Sequence, residues 1–338
     1  MPDDSTKRPN LGPNDTAMDR GYALKVLPRR SFGAHKWGVG GLVIVAGAPG
    51  FAGAVILSAL AAGRAGAGIM NVAVPRSLAG TVVVHVPEAA TLSLPEGEAA
   101  GNRRALDLLE KKIDKSAALL IGPGLGEDES ADALMGALFG GKASRPRIGF
   151  GFGAPSSGGE DEAAQGIAQA AGKPMVIDAD GLNWLSKQPD WPSLLPKGQA
   201  ILTPHVGEMG RLLGKESADL IADPLVTVRE AAKAWGQTVV FKYGHTAVSD
   251  GEHTLVADDA PVSLATAGAG DVLAGTIGAF LAQGLAPIDA GALAVYAGVR
   301  AARRVEERVG TLGLVASDLP LAIAEELAAL EREAEDAA

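Results

Sequence analysis

Short β-branched runs alternating with alanine-rich helical runs predict a three-layer α/β/α fold around a central, mostly parallel sheet. The strand, turn, helix unit repeats at least six times. Its glycine-rich or polar turns fall at the C-terminal ends of strands, where open α/β sheets bind ligands. The chain has 338 residues, 47% hydrophobic, enough for a large core. Its 45 glycines and few aromatic residues imply tight turns and close helix–sheet packing.

Residues 1–20 are polar and read as a disordered tail. Leu42-Val43-Ile44-Val45-Ala46 has the pattern of a buried strand, followed by a glycine loop through Gly47, Gly50 and Gly53 and an Ala/Leu helix ending near Gly66-Ala67-Gly68. Ile69 to Val74 predicts a second strand, stopped by Pro75, and Ala118 to Ile121 a third, running into Gly122-Pro123-Gly124-Leu125-Gly126. Met175-Val176-Ile177 leads into Asp178-Ala179-Asp180, Ala200-Ile201-Leu202 into Thr203-Pro204-His205, and Thr238 to Phe241 into Lys242. Residues 142–162, with their basic start and glycine-rich centre, read as an inserted loop or flap, with a short strand at Ile148 as the rival. Residues 318–335 have the pattern of a closing amphipathic helix. The expected organisation is one domain over 21–331 between two tails, 1–20 and 332–338.

A net charge of −10 argues against a nucleic-acid surface, although a local basic pocket remains compatible with it. The absence of cysteine excludes disulfides, thiolate nucleophiles and Cys-based metal sites. No apolar h-region follows the N-terminus and no apolar run has bilayer-spanning length, so the expectation is a cytoplasmic protein with no membrane partner. Alanine-rich apolar helices point to self-association, up to a tetramer.

The richest chemical signal is Ala265-Thr266-Ala267-Gly268-Ala269-Gly270-Asp271, just before a helical pattern. A helix start with free N–H groups is an anion site. Asp271 stands where a carboxylate could take a proton from a hydroxyl beside a bound phosphate. The plainer alternative makes Asp271 an N-cap and the glycines a turn. The Gly47-x-x-Gly50-x-x-Gly53 loop lacks dinucleotide-fold spacing, the next strand end offers Asn71 and Arg76 in place of a ribose-binding acid, and no glycine loop ends in Gly-Lys-Ser/Thr.

These motifs together carry a family resemblance. His35-Lys36, Val45-Ala46-Gly47, Phe51 to Ala54, Arg64 to Gly68, Pro87-Glu88, Ile121 to Gly126, Asp178 to Asn183, Thr203 to Glu208, Lys242 to Thr246, Ala265 to Ala274 and Gly313 to Leu319 follow one another in a single order. In that order the chain resembles the ADP/ATP-dependent NAD(P)H-hydrate dehydratases, a branch of the ribokinase-like superfamily, over most of residues 28–330. The resemblance implies transfer of a phosphoryl group from ADP or ATP to the C6 hydroxyl of hydrated NADH or NADPH, followed by loss of phosphate. It also implies roles. N–H groups of Gly268, Ala269 and Gly270 would hold the transferring phosphoryl, and Asp271 would accept the hydroxyl proton. Lys242, Tyr243, Gly244, His245 and Thr246, with Gly270, would bind the nucleotide. Ala54, Gly124, Gly126, His205 and Asp271 would line the hydrate pocket. Glu208 would support Mg²⁺ indirectly through water. The alternatives beside these roles are a strand-ending Lys242, a surface-turn His205 and a dipole-favoured Glu208. Asp178 and Asp180 read as structural or magnesium-linked, and neither as a direct ligand.

The chain departs from the family pattern at Pro261-Val262-Ser263-Leu264, at Ala267 and Ala269 in the anion loop, at Tyr296-Ala297-Gly298 and at Lys36-Trp37. The family's epimerase partner domain is expected to be absent. The rival readings are a small-molecule hydroxyl kinase of the same superfamily, acting on a pyrimidine or thiazole alcohol, and a catalytically silent nucleotide-binding regulator.

Overall fold

The computed structural model describes residues 11–30, 32–33, 35–97, 103–140 and 166–337. Ten strands form one sheet: β1 (Asp15–Met18), β2 (Gly41–Val45), β3 (Ile69–Pro75), β4 (Ala90–Leu94), β5 (Ala118–Ile121), β6 (Met175–Ile177), β7 (Ala200–Leu202), β8 (Thr238–Phe241), β9 (Ala247–Ser249) and β10 (Thr254–Ala257). Their order is β1-β10-β9-β8-β7-β6-β5-β2-β3-β4. Only β9 runs antiparallel to its neighbours, so β10 and β1 point the same way as the rest. The expected mostly parallel α/β/α architecture is therefore present.

Alternation along the strands makes the two cores. Leu42, Ile44, Leu120, Val176, Ile201 and Val240 face one side, against Val55, Ile277, Phe280 and Leu293. Val43, Val45, Leu119, Ile121, Ile177 and Phe241 face the other, against Phe139, Trp184, Met209 and Trp235. A period of two with both faces apolar requires helices on both faces. Among the described residues no helix is long and apolar enough to cross a membrane.

Three expectations need correction. The 1–20 tail is structured in its last part: β1 pairs in parallel with β10, Met18 is buried, and a helix starts at Arg20. Few apolar residues are needed there because β10 supplies the ladder, and an Asp15–Arg229 ion pair anchors the strand. The closing helix runs over Leu319–Asp336, so the expected tail at 332–338 is mostly helix. The Ala90–Leu94, Ala247–Ser249 and Thr254–Ala257 strands were not expected. Residues 142–162 lie outside the described ones.

Strand order reverses between β2 and β5, which opens the crevice typical of doubly wound sheets. The loops that leave these two strands are tied by Gly47 N donating to Pro123 O at 2.8 Å. Behind the crevice, the Ala52–Arg64 and Ala269–Ala282 helices cross in direct backbone contact. A Cβ on Gly275 would fall 2.1 Å from the Ser58 carbonyl oxygen. Only glycine permits that approach. Gly275→Ala should therefore cost about 1–3 kcal/mol through overpacking, read as a lower urea midpoint with unchanged slope. An unaltered midpoint would show that the two helices can separate freely.

Candidate active site

The carboxyl ends of β5 to β8 and of β10 surround the N-terminus of the Ala269–Ala282 helix. Asp178 follows β6, Thr203 to His205 follow β7, and Lys242 follows β8. Ala265–Asp271 arrives from β10 through a 3₁₀ turn at Val262–Leu264. Lys242 N donates to Pro204 O at 2.9 Å, so the two strand ends stay in register just past the sheet.

Lys242 Nζ donates to Asp178 Oδ1 at 3.1 Å, and Thr203 Oγ1 donates to the same oxygen at 2.5 Å. Asp178 is almost fully buried. The lysine also abuts the helix start, with Nζ 3.5 Å from where a Gly270 Cβ would stand. Burial alone would depress the Lys242 ammonium, but Asp178, Glu208 and Asp271 outweigh it and hold its pKa above the ordinary value. Asp271 behaves oppositely. Burial, reinforced by Asp178 and Asp180 and opposed by Lys242, pushes its carboxyl up to about 7.

Gly268 takes φ 90° and caps the helix that begins at Ala269. The N–H of Ala269 donates to Thr266 O at 3.3 Å, whereas those of Gly268, Gly270 and Asp271 make no hydrogen bond among the described residues. Of the three expected donors, Gly268 and Gly270 keep N–H groups without an acceptor among the described residues, Ala269 turns its own to Thr266, and Asp271 adds another. The geometry of a helix start explains it, since the first four N–H groups have no intrahelical acceptor.

His205 and Glu208 form a capping box on the Val206–Leu213 helix. His205 Nδ1 accepts from Gly207 N at 2.9 Å, and Glu208 Oε2 accepts from His205 N at 2.8 Å. The imidazole is therefore neutral with its proton on Nε2, half-exposed over the cleft. Burial and then the Lys242 and Arg211 charges lower its pKa. Burial lifts the Glu208 carboxyl above its usual range despite Lys242 nearby, and Asp178 adds to the rise. Glu208 thus sits both in a cap and beside the lysine.

On the crevice side, Gly124 (φ 61°) presses on the helix start, its Cβ position 2.8 Å from Ala54 Cβ. Gly126 N donates to Asp180 Oδ2 at 2.8 Å. Gly124 therefore lies against Ala54, and Asp180 anchors the loop at Gly126. On the other side of Lys242 lies a cavity of about 960 Å³, large enough for a nucleotide. Lys242, Gly244, His245, Thr246, Ala269 and Gly270 line it at one end. Tyr243 does not: its ring packs on Phe241, 5.2 Å between centroids, in the opposite core. His245 is buried and its Nδ1 is 3.0 Å from Ala257 O, so it braces the hairpin. Asp258–Arg300 and Asp259–Arg303 ion pairs border the cavity. They join residues more than forty positions apart, and no local motif announces them.

A family model described as NAD(P)H-hydrate dehydratase matches residues 42–325. The bifunctional NAD(P)H-hydrate repair enzyme Nnr of Salinibacter ruber is 36% identical over 298 residues, covering 86% of this chain and 49% of that protein. The chain thus spans about half the length of the bifunctional relatives it matches. The ADP-dependent (S)-NAD(P)H-hydrate dehydratase of Xanthomonas campestris is 31% identical over 304 residues, covering 88% of this chain and 91% of that protein. In fold, the chain is similar to the Bacillus subtilis ADP/ATP-dependent NAD(P)H-hydrate dehydratase co-crystallised with ATP/Mg²⁺, with TM-score 0.72 at 22% identity, covering 96% of this chain and 100% of that one. A ribokinase-like superfamily protein of Enterococcus faecalis gives TM-score 0.76 at 20% identity, covering 96% and 99%.

The raised Asp271 carboxyl has a stability consequence. Its ordinary value is 3.8, against about 7 in the fold. Between those values the unfolded chain has released the proton and the folded chain retains it, so the stability from this group is lost as pH rises through 7. Asp271→Asn does not titrate. The variant should gain stability relative to the natural chain between about pH 4 and pH 7, as read by denaturant melts at both ends of that range. A stability difference independent of pH would show an ordinary, solvated carboxyl.

Proposed function

The chain belongs to the NAD(P)H-hydrate dehydratase family, and from that premise we propose that it restores hydrated NADH or NADPH by ADP- or ATP-dependent dehydration, a metabolite-repair lyase reaction. The observation that carries this reading is the placement of Asp271. A carboxyl pushed up to about 7 stands in the first turn of a helix that starts beside the Lys242 ammonium.

Each step has a residue. The cavity takes the nucleotide, with Lys242 at its phosphate end. The hydrate lies in the crevice beside Ala54, Gly124, Gly126 and His205. Asp271 accepts the proton of the ring hydroxyl while its oxygen bonds to the terminal phosphorus. The bond from phosphorus to the nucleotide's bridging oxygen breaks, leaving AMP or ADP. Free N–H groups of Gly268, Gly270 and Asp271 hold the transferring phosphoryl, whose chemistry asks mainly for positioning and charge stabilisation. The ring nitrogen's electron pair then expels phosphate from C6, and loss of the neighbouring C5 proton restores the dihydronicotinamide. Hydroxide would leave poorly and phosphate leaves well.

Mg²⁺ suits the site as an ion carried on the nucleotide's phosphates. It keeps several waters and needs only one or two carboxylates. Glu208 fits as an outer partner, because one of its oxygens already accepts from His205 N and the other lies 3.4 Å from His205 Nε2. When bound, the ion would neutralise developing charge on the phosphates.

Hydrated NADH supplied with ADP or ATP should recover dihydronicotinamide absorbance. Nucleotide binding without turnover would instead favour a silent regulator, and phosphorylation of an alcohol with no elimination would favour a kinase. Asp271→Asn should fold and bind nucleotide yet lose at least about a hundredfold in kcat. In the natural enzyme, kcat/KM for the hydrate should climb with pH up to about 7 and level off above it, as that carboxyl ionises in the free enzyme. Near-normal turnover in the variant would reduce Asp271 to a helix cap. Lys242→Ala should raise the nucleotide KM by about ten- to a hundredfold, the loss expected of a charged hydrogen bond, with a smaller effect on the hydrate. Unchanged nucleotide kinetics would remove Lys242 from the site.

A further inference from the structure

The crevice has an electrostatic difficulty. Asp178, Asp180, Glu208 and Asp271 all stand in it, in a chain of net charge −10. A dinucleotide carries at least two phosphate charges. Lys242 is committed to Asp178 and faces the helix start on the nucleotide side. A second cation is therefore needed where the dinucleotide enters.

The Val206–Leu213 helix supplies it. His205, Glu208 and Arg211 are spaced three apart and share one face of this helix. Arg211 Nη1 lies 3.7 Å from where a Gly207 Cβ would stand, so the guanidinium folds back toward His205. Its charge reaches far enough to lower the His205 pKa. Arg211 Nε donates to Asn183 Oδ1 at 3.0 Å. Asn183 Nδ2 donates to Asp180 Oδ1 at 3.3 Å, and Asp180 Oδ2 accepts from Gly126 N at 2.8 Å. One relay thus fixes both the guanidinium and the glycine loop of the hydrate pocket. Among the described residues no carboxylate pairs with Arg211. The guanidinium is oriented by a neutral amide and keeps its Nη donors for an anion, the fork geometry that matches phosphate.

We propose that Arg211 is a substrate-binding residue that holds a phosphate of the dinucleotide substrate, positioned by Asn183 and Asp180. The proposal rests on the dehydratase reading and names the part of the substrate met at the crevice mouth. The phosphate is either the bridging pyrophosphate, common to both dinucleotides, or the 2′-phosphate that only NADPH carries.

The test compares Arg211→Gln and Arg211→Lys with the natural enzyme, using hydrated NADH and hydrated NADPH at saturating ADP or ATP. Direct fluorescence titrations with intact NADH and NADPH run alongside. Arg211→Gln should raise the dinucleotide KM about tenfold or more, change kcat much less, and leave the nucleotide KM in place. Arg211→Lys should recover part of the loss, since a point charge remains without the fork. Equal losses for both dinucleotides assign the pyrophosphate, and a loss confined to NADPH assigns the 2′-phosphate. Asn183→Ala should give a smaller loss of the same kind, because it frees the guanidinium without removing it. Unchanged dinucleotide KM values, or a rise confined to the nucleotide KM, would overturn the proposal. If the natural enzyme binds NADH and NADPH but turns over neither hydrate, the dehydratase reading fails while the titrations still decide Arg211. Equal dissociation constants in Arg211→Gln and the natural enzyme, or no dinucleotide binding by either, would overturn the assignment.

Discussion

The site depends on one ammonium group. Lys242 stands among Asp178, Glu208 and Asp271 and faces the open end of a helix. Unpaired, a cation so placed would be costly, and so would the buried carboxylates around it. Together they are mutually sustained, and the sheet sets their positions. Asp178 leaves β6, Thr203 leaves β7 and Lys242 leaves β8, three adjacent parallel strands whose spacing fixes the separation of the side chains. The hydrogen bond from Lys242 N to Pro204 O carries that register one residue beyond the sheet. Charge balance is incomplete by design of the cluster: three carboxylates share one lysine, and Asp271, the one in the helix, has its ionisation pushed up to neutrality. Burial of the carboxyl accounts for most of that rise, and the neighbouring Asp178 and Asp180 add to it against Lys242.

Helix packing delivers Asp271 to this cluster. Gly275 lets the Ala269–Ala282 helix touch the Ser58 carbonyl, and Ser58 Oγ returns a hydrogen bond to Asp271 O at 3.1 Å. The contact that removes a Cβ from the core therefore also locks the turn that bears Asp271. The glycine- and alanine-rich composition is explained here: small side chains bring the two helices close enough for the core to hold the active turn. The same logic covers the departures at Ala267 and Ala269. Neither residue's side chain bears on the backbone N–H groups of Gly268, Gly270 and Asp271, which make no hydrogen bond among the described residues.

Six strands were legible because each is a short, almost wholly apolar run that ends in a turn. β1, β4, β9 and β10 were not. Asp15–Met18 and Ala90–Leu94 are edge strands with little apolar pattern of their own, and pairing with a neighbour defines them. The site's motifs were legible as residue types at strand ends, yet the direction of each side chain was not. Lys242 and Tyr243 are adjacent in sequence, and strand alternation sends one to the cavity and the other to Phe241 on the far face. His205 was read as either a pocket residue or a turn residue. Its geometry is a helix cap, with Nδ1 accepting from the first turn and Nε2 3.4 Å from Glu208 Oε1. The Asp258–Arg300 and Asp259–Arg303 pairs join distant positions and leave no trace in a local pattern.

Asp178 and Asp180 show how two like residues acquire opposite duties. Between them Ala179 adopts φ 51° and ψ −117°, a conformation that L side chains rarely tolerate. The turn is forced from both sides. Gly122, at φ 125°, brings the preceding loop so close that a Cβ there would meet Asp178 O at 1.9 Å, and Gly181 N donates back to that same oxygen at 3.0 Å. An unstrained residue at 179 would leave the two carboxylates on a smoother path. The abrupt turn instead sends Asp178 toward Thr203 and Lys242, and Asp180 toward Gly126 and Asn183. One carboxylate then serves the charge cluster around Lys242, and the other serves the crevice loop. A single strained alanine thus separates the Lys242 cluster from the Gly126 loop, and its strain is balanced by the hydrogen bonds that both neighbours make.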